Sequence, residues 1–251
     1  MIRSPHVVLT QADGSLAGLA DLLRGERLDV EEHPLLRFVP PPTWDALDDA
    51  LDDLAAFGAV ALTSPRAAAA VSARFRAGGL PIVASPAAFA SGITTADPLV
   101  GCFGSIVLAE PAAVSRYGAA VALAARIHAA GVRDPVLFPC GDQRRDELPE
   151  RLRAVGIQVL EVPAYRLALA TEADARETAG RADVLVVASP SVARLVARAW
   201  PGADQPGVRL VAIGPTTAVA ARAAGWEPAA VAGEPSVPGV AAAVRRVLVR
   251  E

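Results

Sequence analysis

Aromatic side chains are scarce in this 251-residue chain: Phe, Trp and Tyr together make up 4%, against a hydrophobic content of 53%. The core must therefore be assembled from Ala, Val and Leu, in a compact globular chain long enough to need no staple. Cysteine is limited to Cys102 and Cys140, 38 positions apart and in no C-x-x-C arrangement. That excludes a disulfide framework, argues against a structural zinc site and fits a reducing, cytoplasmic setting. The three histidines, His6, His33 and His128, have no metal-ligand spacing and none neighbours a nucleophile candidate, so no metal is expected. A P-loop, a G-x-S-x-G elbow and a strand-borne G-x-G-x-x-G are all missing. No apolar run is long enough to span a bilayer, and Met1 to Pro5 leads into no apolar signal region. A net charge of -3 gives no global field for a polyanion. Neither nucleic acid nor membrane is expected as a partner.

What is present is alternation. Short apolar runs (HVVLT, AVALTS, PVLFPC, IQVLEV, VLVVAS, VRLVAI) alternate with alanine- and arginine-rich helical stretches, several ending at a glycine suited to a left-handed cap: Gly131, Gly156 and Gly225. This pattern predicts βαβ units with parallel sheets covered on both faces. The chain also repeats itself. Leu19, Leu23, Arg24, Val30, Pro34 and Arg37 each reappear 129 positions later, and the segment from Ala59 to Phe75 resembles that from Val184 to Trp200 at a spacing of 125. Two related halves explain this. The extended segments HPLLRF and VPAYRL suit paired crossover strands between lobes, with both chain ends in one lobe.

In open α/β sheets, ligands collect where strand C-terminal ends meet helix N-termini, because unpaired amides and the helix dipole favour anions there. The candidate strand ends are Thr10-Gln11, Thr63-Ser64-Pro65, Cys140-Gly141-Asp142-Gln143, Ser189-Pro190-Ser191 and Gly214-Pro215-Thr216-Thr217. Helix capping accounts for any one of them. It does not predict the tandem Thr216-Thr217, nor Gly141 followed by Asp142, Gln143, Arg144 and Arg145. Cys140 reads at least as readily as a buried apolar side chain as it does as a ligand contact. Tyr165 stands in a β-type segment where the first half has Leu36. It packs at a lobe junction or presents a phenol to a cleft.

The ordered set AIGPTTA (Ala212 to Ala218), SPS (Ser189 to Ser191), EVPAYR around Tyr165 and PCGDQRRDELPERLRAVG (Pro139 to Gly156) resembles the uroporphyrinogen-III synthase family, closely from about Val136 onward and more weakly before it. The resemblance implies two similar α/β lobes with parallel sheets flanked by helices, joined by a two-stranded ladder, the first lobe discontinuous: 1-36 with 168-251, then 37-167. It implies a cofactor-free, monomeric enzyme that closes hydroxymethylbilane to uroporphyrinogen III with inversion of the last ring and loss of water. By the same resemblance Tyr165, Thr216 and Thr217 would be catalytic. Thr10, Ser64, Gly141, Asp142, Arg144, Arg145, Ser189, Ser191 and Gly214 would hold substrate. Two departures accompany it. Thr10-Gln11-Ala12 stands where many members have T-R-P, removing a positive charge. The VG-x-x-T break usual in the second lobe is not evident, leaving Ser85, Thr94 or Thr95 as stand-ins. A non-catalytic tetrapyrrole-binding or regulatory module of the same fold is the alternative. The chain's end at Glu251 leaves no room for the appended DNA-binding domain of some relatives, and a periplasmic-type binding protein would need a signal peptide.

Overall fold

In the computed structural model, residues 4–12, 14–82, 86–144, 146–200 and 207–249 are described. The chain divides into two compact units, the first made of Met1–Phe38 with Ala168–Glu251 and the second of Val39–Leu167. Among the described residues the strands are β1 (His6–Leu9), β2 (Asp29–Glu32), β3 (Leu36–Val39), β4 (Ala59–Leu62), β5 (Ala87–Ala90), β6 (Ile106–Leu108), β7 (Val136–Gly141), β8 (Val159–Leu169), β9 (Val184–Val187), β10 (Arg209–Ala212) and β11 (Ala230–Val231). The helices are α1 (Leu19–Gly25), α2 (Asp45–Asp52), α3 (Pro65–Ala77), α4 (Ile93–Ala96), α5 (Pro111–Tyr117), α6 (Ala119–Ala129), α7 (Glu147–Ala154), α8 (Glu172–Arg181), α9 (Pro190–Ala199), α10 (Pro215–Ala223) and α11 (Val237–Leu248). The six apolar runs read as strands all fall on strands, and Gly131, Gly156 and Gly225 end their helices at φ of 78°, 81° and 90°, which a side chain would strain.

The sheet of the first unit has the order β11-β10-β9-β1-β2, and the other sheet β3-β8-β7-β4-β5-β6. Every pairing from β2 to β11, and from β8 to β6, is parallel. Parallel sheets must be covered on both faces, and the alternation of each strand shows how. In the first unit Val8, Leu185 and Leu210 pack under α8, α9 and α10 through Ala175, Val192, Val196 and Ala221. Val7, Leu9, Val184 and Val186 pack on the opposite face against Leu19 and Leu23 of α1 and Val240 and Val244 of α11. In the second unit Val60, Leu62 and Leu137 meet α2 and α3 at Leu47, Leu51, Val71 and Phe75. Ala59, Ala61, Val136 and Phe138 meet α6 and α7 at Leu123, Ile127, Leu148 and Leu152. Each such leucine contributes about 1.5–3 kcal/mol by burial.

The internal repeat has a structural meaning. Counted from β2 and β8, the two sheets run β2-β1-β9-β10-β11 and β8-β7-β4-β5-β6, the same order. Their registers coincide too. Val7 pairs with Val30 and Val136 with Val159, while Val184 pairs with Val7 and Ala59 with Val136. The spacings of 129 and 125 therefore link structurally equivalent residues. Even an ion pair recurs: Arg24 to Glu32 at 3.8 Å and Arg153 to Glu161 at 2.6 Å lie 129 positions apart.

Candidate active site

Strand ends of the second unit enclose a cavity of about 310 Å³ lined by Thr63 and Ser64 after β4, Cys140 and Gly141 at the end of β7, Arg144, and Tyr165 of β8. A one-residue irregularity creates the last contact. From Val136 to Cys140 each residue of β7 pairs with the residue 23 positions on, but Gly141 pairs with Tyr165, so Ala164 is the extra residue of a bulge. Bulges re-aim side chains, and this one lays the Tyr165 ring over Gly141. A Cβ at position 141 would sit 2.6 Å from Cε2 of Tyr165 and 3.0 Å from its hydroxyl oxygen. The need for glycine here is set by the tyrosine. The ring's inner side packs on the core that contains Val162 and Ala164.

Among the described residues, the charged side chains lining this cavity are Arg144 and Glu147. Arg144 donates through Nε to Glu161 and lies 3.1 Å from Asp146. Glu161 also accepts from Arg153 at 2.6 Å. The hydrogen bond from Arg144, reinforced by Arg153, holds the Glu161 carboxyl below its ordinary range. Burial pushes the Cys140 thiol up to about 12, only partly offset by Arg144. Cys140 is thus a protonated lining group, with its thiol 3.8 Å from the Val162 carbonyl, and no thiolate nucleophile. Asp142 is exposed and braces the end of β8. Its carboxylate accepts from the Leu167 N–H at 3.1 Å, and its own N–H donates to the Tyr165 carbonyl at 3.2 Å. Ser64 stands at the N-cap of α3 yet makes no capping bond, so its hydroxyl remains available at the cavity wall. Arg145 and Ser85 lie outside the described residues.

The first unit carries a cavity of about 280 Å³ lined by Thr10 and Gln11 after β1, Ser15, Leu36, Ser189 and Ile213 among others. Thr10 is fully buried, and its hydroxyl donates to the Val186 carbonyl at 2.8 Å, tying the end of β1 to β9. Ser189 Oγ accepts from the Val192 N–H at 3.1 Å as a true cap, which leaves its own proton to donate. Ser191, in the first turn of α9, is half-buried and does not line this cavity. Gly214, Thr216 and Thr217 follow Ile213 at the start of α10 and do not line it either. Thr216 is exposed and Thr217 buried, and no side chain caps the helix. Tyr165 thus belongs to one unit, and Thr216 and Thr217 to the other.

Register equivalence shows how much the two cavities share. At spacings of 129 and 125, Gln11 corresponds to Cys140, Ala12 to Gly141, Ser15 to Arg144, Leu36 to Tyr165, Ala188 to Thr63 and Ser189 to Ser64. All twelve line their respective cavities. The same logic corrects a reading of the sequence. Leu185 pairs with Leu210 and Val60 with Ala88, a spacing of 122 across these third strands. Ile213-Gly214-Pro215-Thr216-Thr217 then matches Ser91-Gly92-Ile93-Thr94-Thr95. Gly92 (φ 177°, ψ 177°) has the extended backbone of Gly214 (φ -178°, ψ 176°), and Thr95 is 2% exposed, as is Thr217. The break that seemed missing from the second half is present as G-I-T-T. It went unseen because its strand, AAFA, is alanine-rich and Ser91 interrupts the apolar run. Ser91 and Thr95 share a hydrogen bond of 3.2 Å.

Among the described residues, no group of three or more His, Cys, Asp or Glu side chains is placed to hold a metal ion, and no helix is long and apolar enough to cross a membrane. Residues 17–242 match the family model described as uroporphyrinogen-III synthase HemD. None of the curated proteins searched matches the chain in sequence. Among solved structures, the chain is similar to uroporphyrinogen-III synthetase from Helicobacter pylori (17% identity, 98% of this chain and 100% of that one, TM-score 0.59). It is likewise similar to a mutant uroporphyrinogen III synthase from Thermus thermophilus (17% identity, 99% and 100%, TM-score 0.58). At that identity the structures speak for the fold alone.

Proposed function

The chain belongs to the uroporphyrinogen-III synthase family, and we propose that it performs that family's reaction, the cyclisation of hydroxymethylbilane to uroporphyrinogen III in tetrapyrrole biosynthesis. The terminal hydroxyl leaves as water, taking a proton, while a pyrrole nitrogen lone pair feeds the azafulvene that remains. The substituted carbon of the last pyrrole attacks that electrophile to give a spiro intermediate. Its fragmentation and reclosure leave the last ring inverted. No redox change occurs, so the reaction needs no redox cofactor. The enzyme's task is to hold a flexible chain in the one geometry that leads past the uninverted isomer, and such positioning supplies on the order of several kcal/mol.

The observation that carries the residue-level reading is the Tyr165 ring fixed over Gly141 at the wall of a cavity also lined by Ser64. On this reading the phenol of Tyr165 orients the departing hydroxyl and donates its proton. Hydroxyls and amides at the strand ends (Ser64, Gly141, Ser189, Ser191, Gly214, Thr216, Thr217) hold substrate carboxylates. Thr10 and Asp142 act on the site by fixing the strand ends that carry it, and Arg144, already paired, supplies a damped positive charge. Arg145 is assigned to substrate by family resemblance alone. On this reading the two compact units, Met1–Phe38 with Ala168–Glu251 and Val39–Leu167, serve as the functional lobes, for which the resemblance implies 1-36 with 168-251 and 37-167. Free, buried Cys102 and Cys140 support a reducing, cytoplasmic setting, and the protein acts as a monomer. The test is the isomer ratio formed from fresh hydroxymethylbilane: the type III isomer in excess over a protein-free control is expected. Type I alone from folded protein would leave the tetrapyrrole-binding module as the reading to pursue.

A further inference from the structure

Gln11 is the unusual group of the first unit's cavity. It is 5% exposed, it lines the cavity, and neither Nε2 nor Oε1 has a hydrogen-bond partner among the described residues. A buried amide left unpaired is a destabilising feature, which an ordered water or an incoming ligand group relieves. The nearby hydroxyl oxygens are engaged elsewhere. Thr10, its neighbour, has its hydroxyl committed to Val186, and the Ser189 oxygen is committed to α9. The remaining wall is apolar, with Leu16, Leu36, Phe38, Val192 and Ile213, and no charged side chain among the described residues lines it. At about 280 Å³ the cavity is at the small end for a whole ligand and too small for a tetrapyrrole.

Building on the ring-closing reading above, we propose that this cavity is a subsite for a single pyrrole ring of the substrate, with Gln11 as its positioning and specificity residue. Both amide atoms are closed off from the cavity in the unliganded fold, so ligand entry must turn the side chain; Oε1 then accepts the pyrrole N–H and Nε2 donates to a carboxylate arm. Apolar walls suit the ring faces. A neutral amide suits this task better than a cation, because a guanidinium or ammonium only donates and would leave the pyrrole N–H unpaired. The corresponding position in the second unit is Cys140, a weak donor and acceptor, so the amide is particular to this position of the first unit.

The probe is porphobilinogen, a monopyrrole with one acetate and one propionate arm, titrated into the full-length protein labelled with ¹⁵N. The Gln11 side-chain amide resonances are expected to shift. Gln11→Met should weaken binding about tenfold, the scale of one hydrogen bond, while its melting temperature stays level or rises because an unpaired amide has been removed. With hydroxymethylbilane the variant should raise KM more than it lowers kcat. Amide resonances that do not move, undiminished binding by Gln11→Met, or a lower melting temperature for that variant would each overturn the proposal. Should Gln11→Met not fold, the near-isosteric Gln11→Glu decides. It should bind poorly at neutral pH and recover as its carboxyl is protonated, whereas binding equal to wild type at all pH values rejects the subsite. Monopyrrole binding at Gln11 by a protein that yields only type I isomer would keep the subsite and end the ring-closing reading. A type III product with unmoved Gln11 resonances would do the reverse.

Discussion

The two units have one strand order, one register and a cavity in the same place, yet they furnish that place with different chemistry. Where the second unit has Tyr165, Gly141 and Arg144, the first has Leu36, Ala12 and Ser15. Where the second unit has a thiol held protonated by burial, the first has an amide with no partner among the described residues. The difference teaches that duplication fixes where a ligand can be met, because strand ends and helix starts recur with the topology. What is done there depends on a handful of side chains. The β7–β8 bulge is the sharpest case: one extra residue, Ala164, re-aims Tyr165 onto Gly141.

The comparison breaks most visibly at Gly141. Gly141→Ala should force the Tyr165 ring away, costing about 1–3 kcal/mol through overpacking and most of the activity with it. In a Tyr165→Ala background the same change should be nearly silent in thermal unfolding. A full stability cost in both backgrounds would show that the clash is not with the tyrosine. The matching exchange in the first unit, Ala12→Gly, should leave the cavity chemistry intact.

Gly214 and Gly92 sharpen the comparison from the other side. Both are extended, and a Cβ on either would meet nothing within 4 Å. Gly214→Ala should therefore leave stability level or improve it by about 0.4–1 kcal/mol through the unfolded chain. A fall in kcat/KM at unchanged melting temperature would then report substrate lying against that backbone. Unchanged kinetics would remove Gly214 from the binding surface. Comparing Gly92→Ala in the same assay ranks the two breaks.

The smallest effect concerns the repeated ion pair. Arg144 and Arg153 hold the Glu161 carboxyl below its ordinary 4.5. The folded value is thus depressed relative to the unfolded one, so the stabilisation is complete above that ordinary value and is lost as pH falls through the folded value. Glu161→Gln should melt slightly below wild type at neutral pH, with the gap closing in acid. The more widely spaced Arg24–Glu32 pair, at 3.8 Å, predicts a smaller gap for Glu32→Gln. Equal gaps, or one that widens in acid, would contradict this.

Much of the fold was legible because buried parallel strands are short, apolar and β-branched, as HVVL and VLVV are. The repeat at 129 and 125 was legible because it preserved Leu19 and Leu148, Leu23 and Leu152, which pack their helices on equivalent sheet faces. AAFA was not legible as β5, since alanine carries little β preference and only its burial between two faces recruits it. The break at Gly92 was lost with it. In the site, Tyr165 and Gly141 were singled out separately, but a bulge is invisible to a two-residue period, so their contact was not foreseen. Gln11 was read as one polar residue at a strand end. Its isolation depends on the hydrogen bonds its neighbours make elsewhere, which no local pattern records.

The measurement that bears most directly on this account is single-turnover conversion of fresh hydroxymethylbilane by wild type and by Tyr165→Phe, scored for rate and for the ratio of type III to type I product. Wild type should give mainly the type III isomer. The phenylalanine variant should lose far more rate than stability, slowing by about a hundredfold or more, the scale of a lost general acid. A variant that keeps the wild-type rate and isomer ratio would contradict this and return Tyr165 to a packing role.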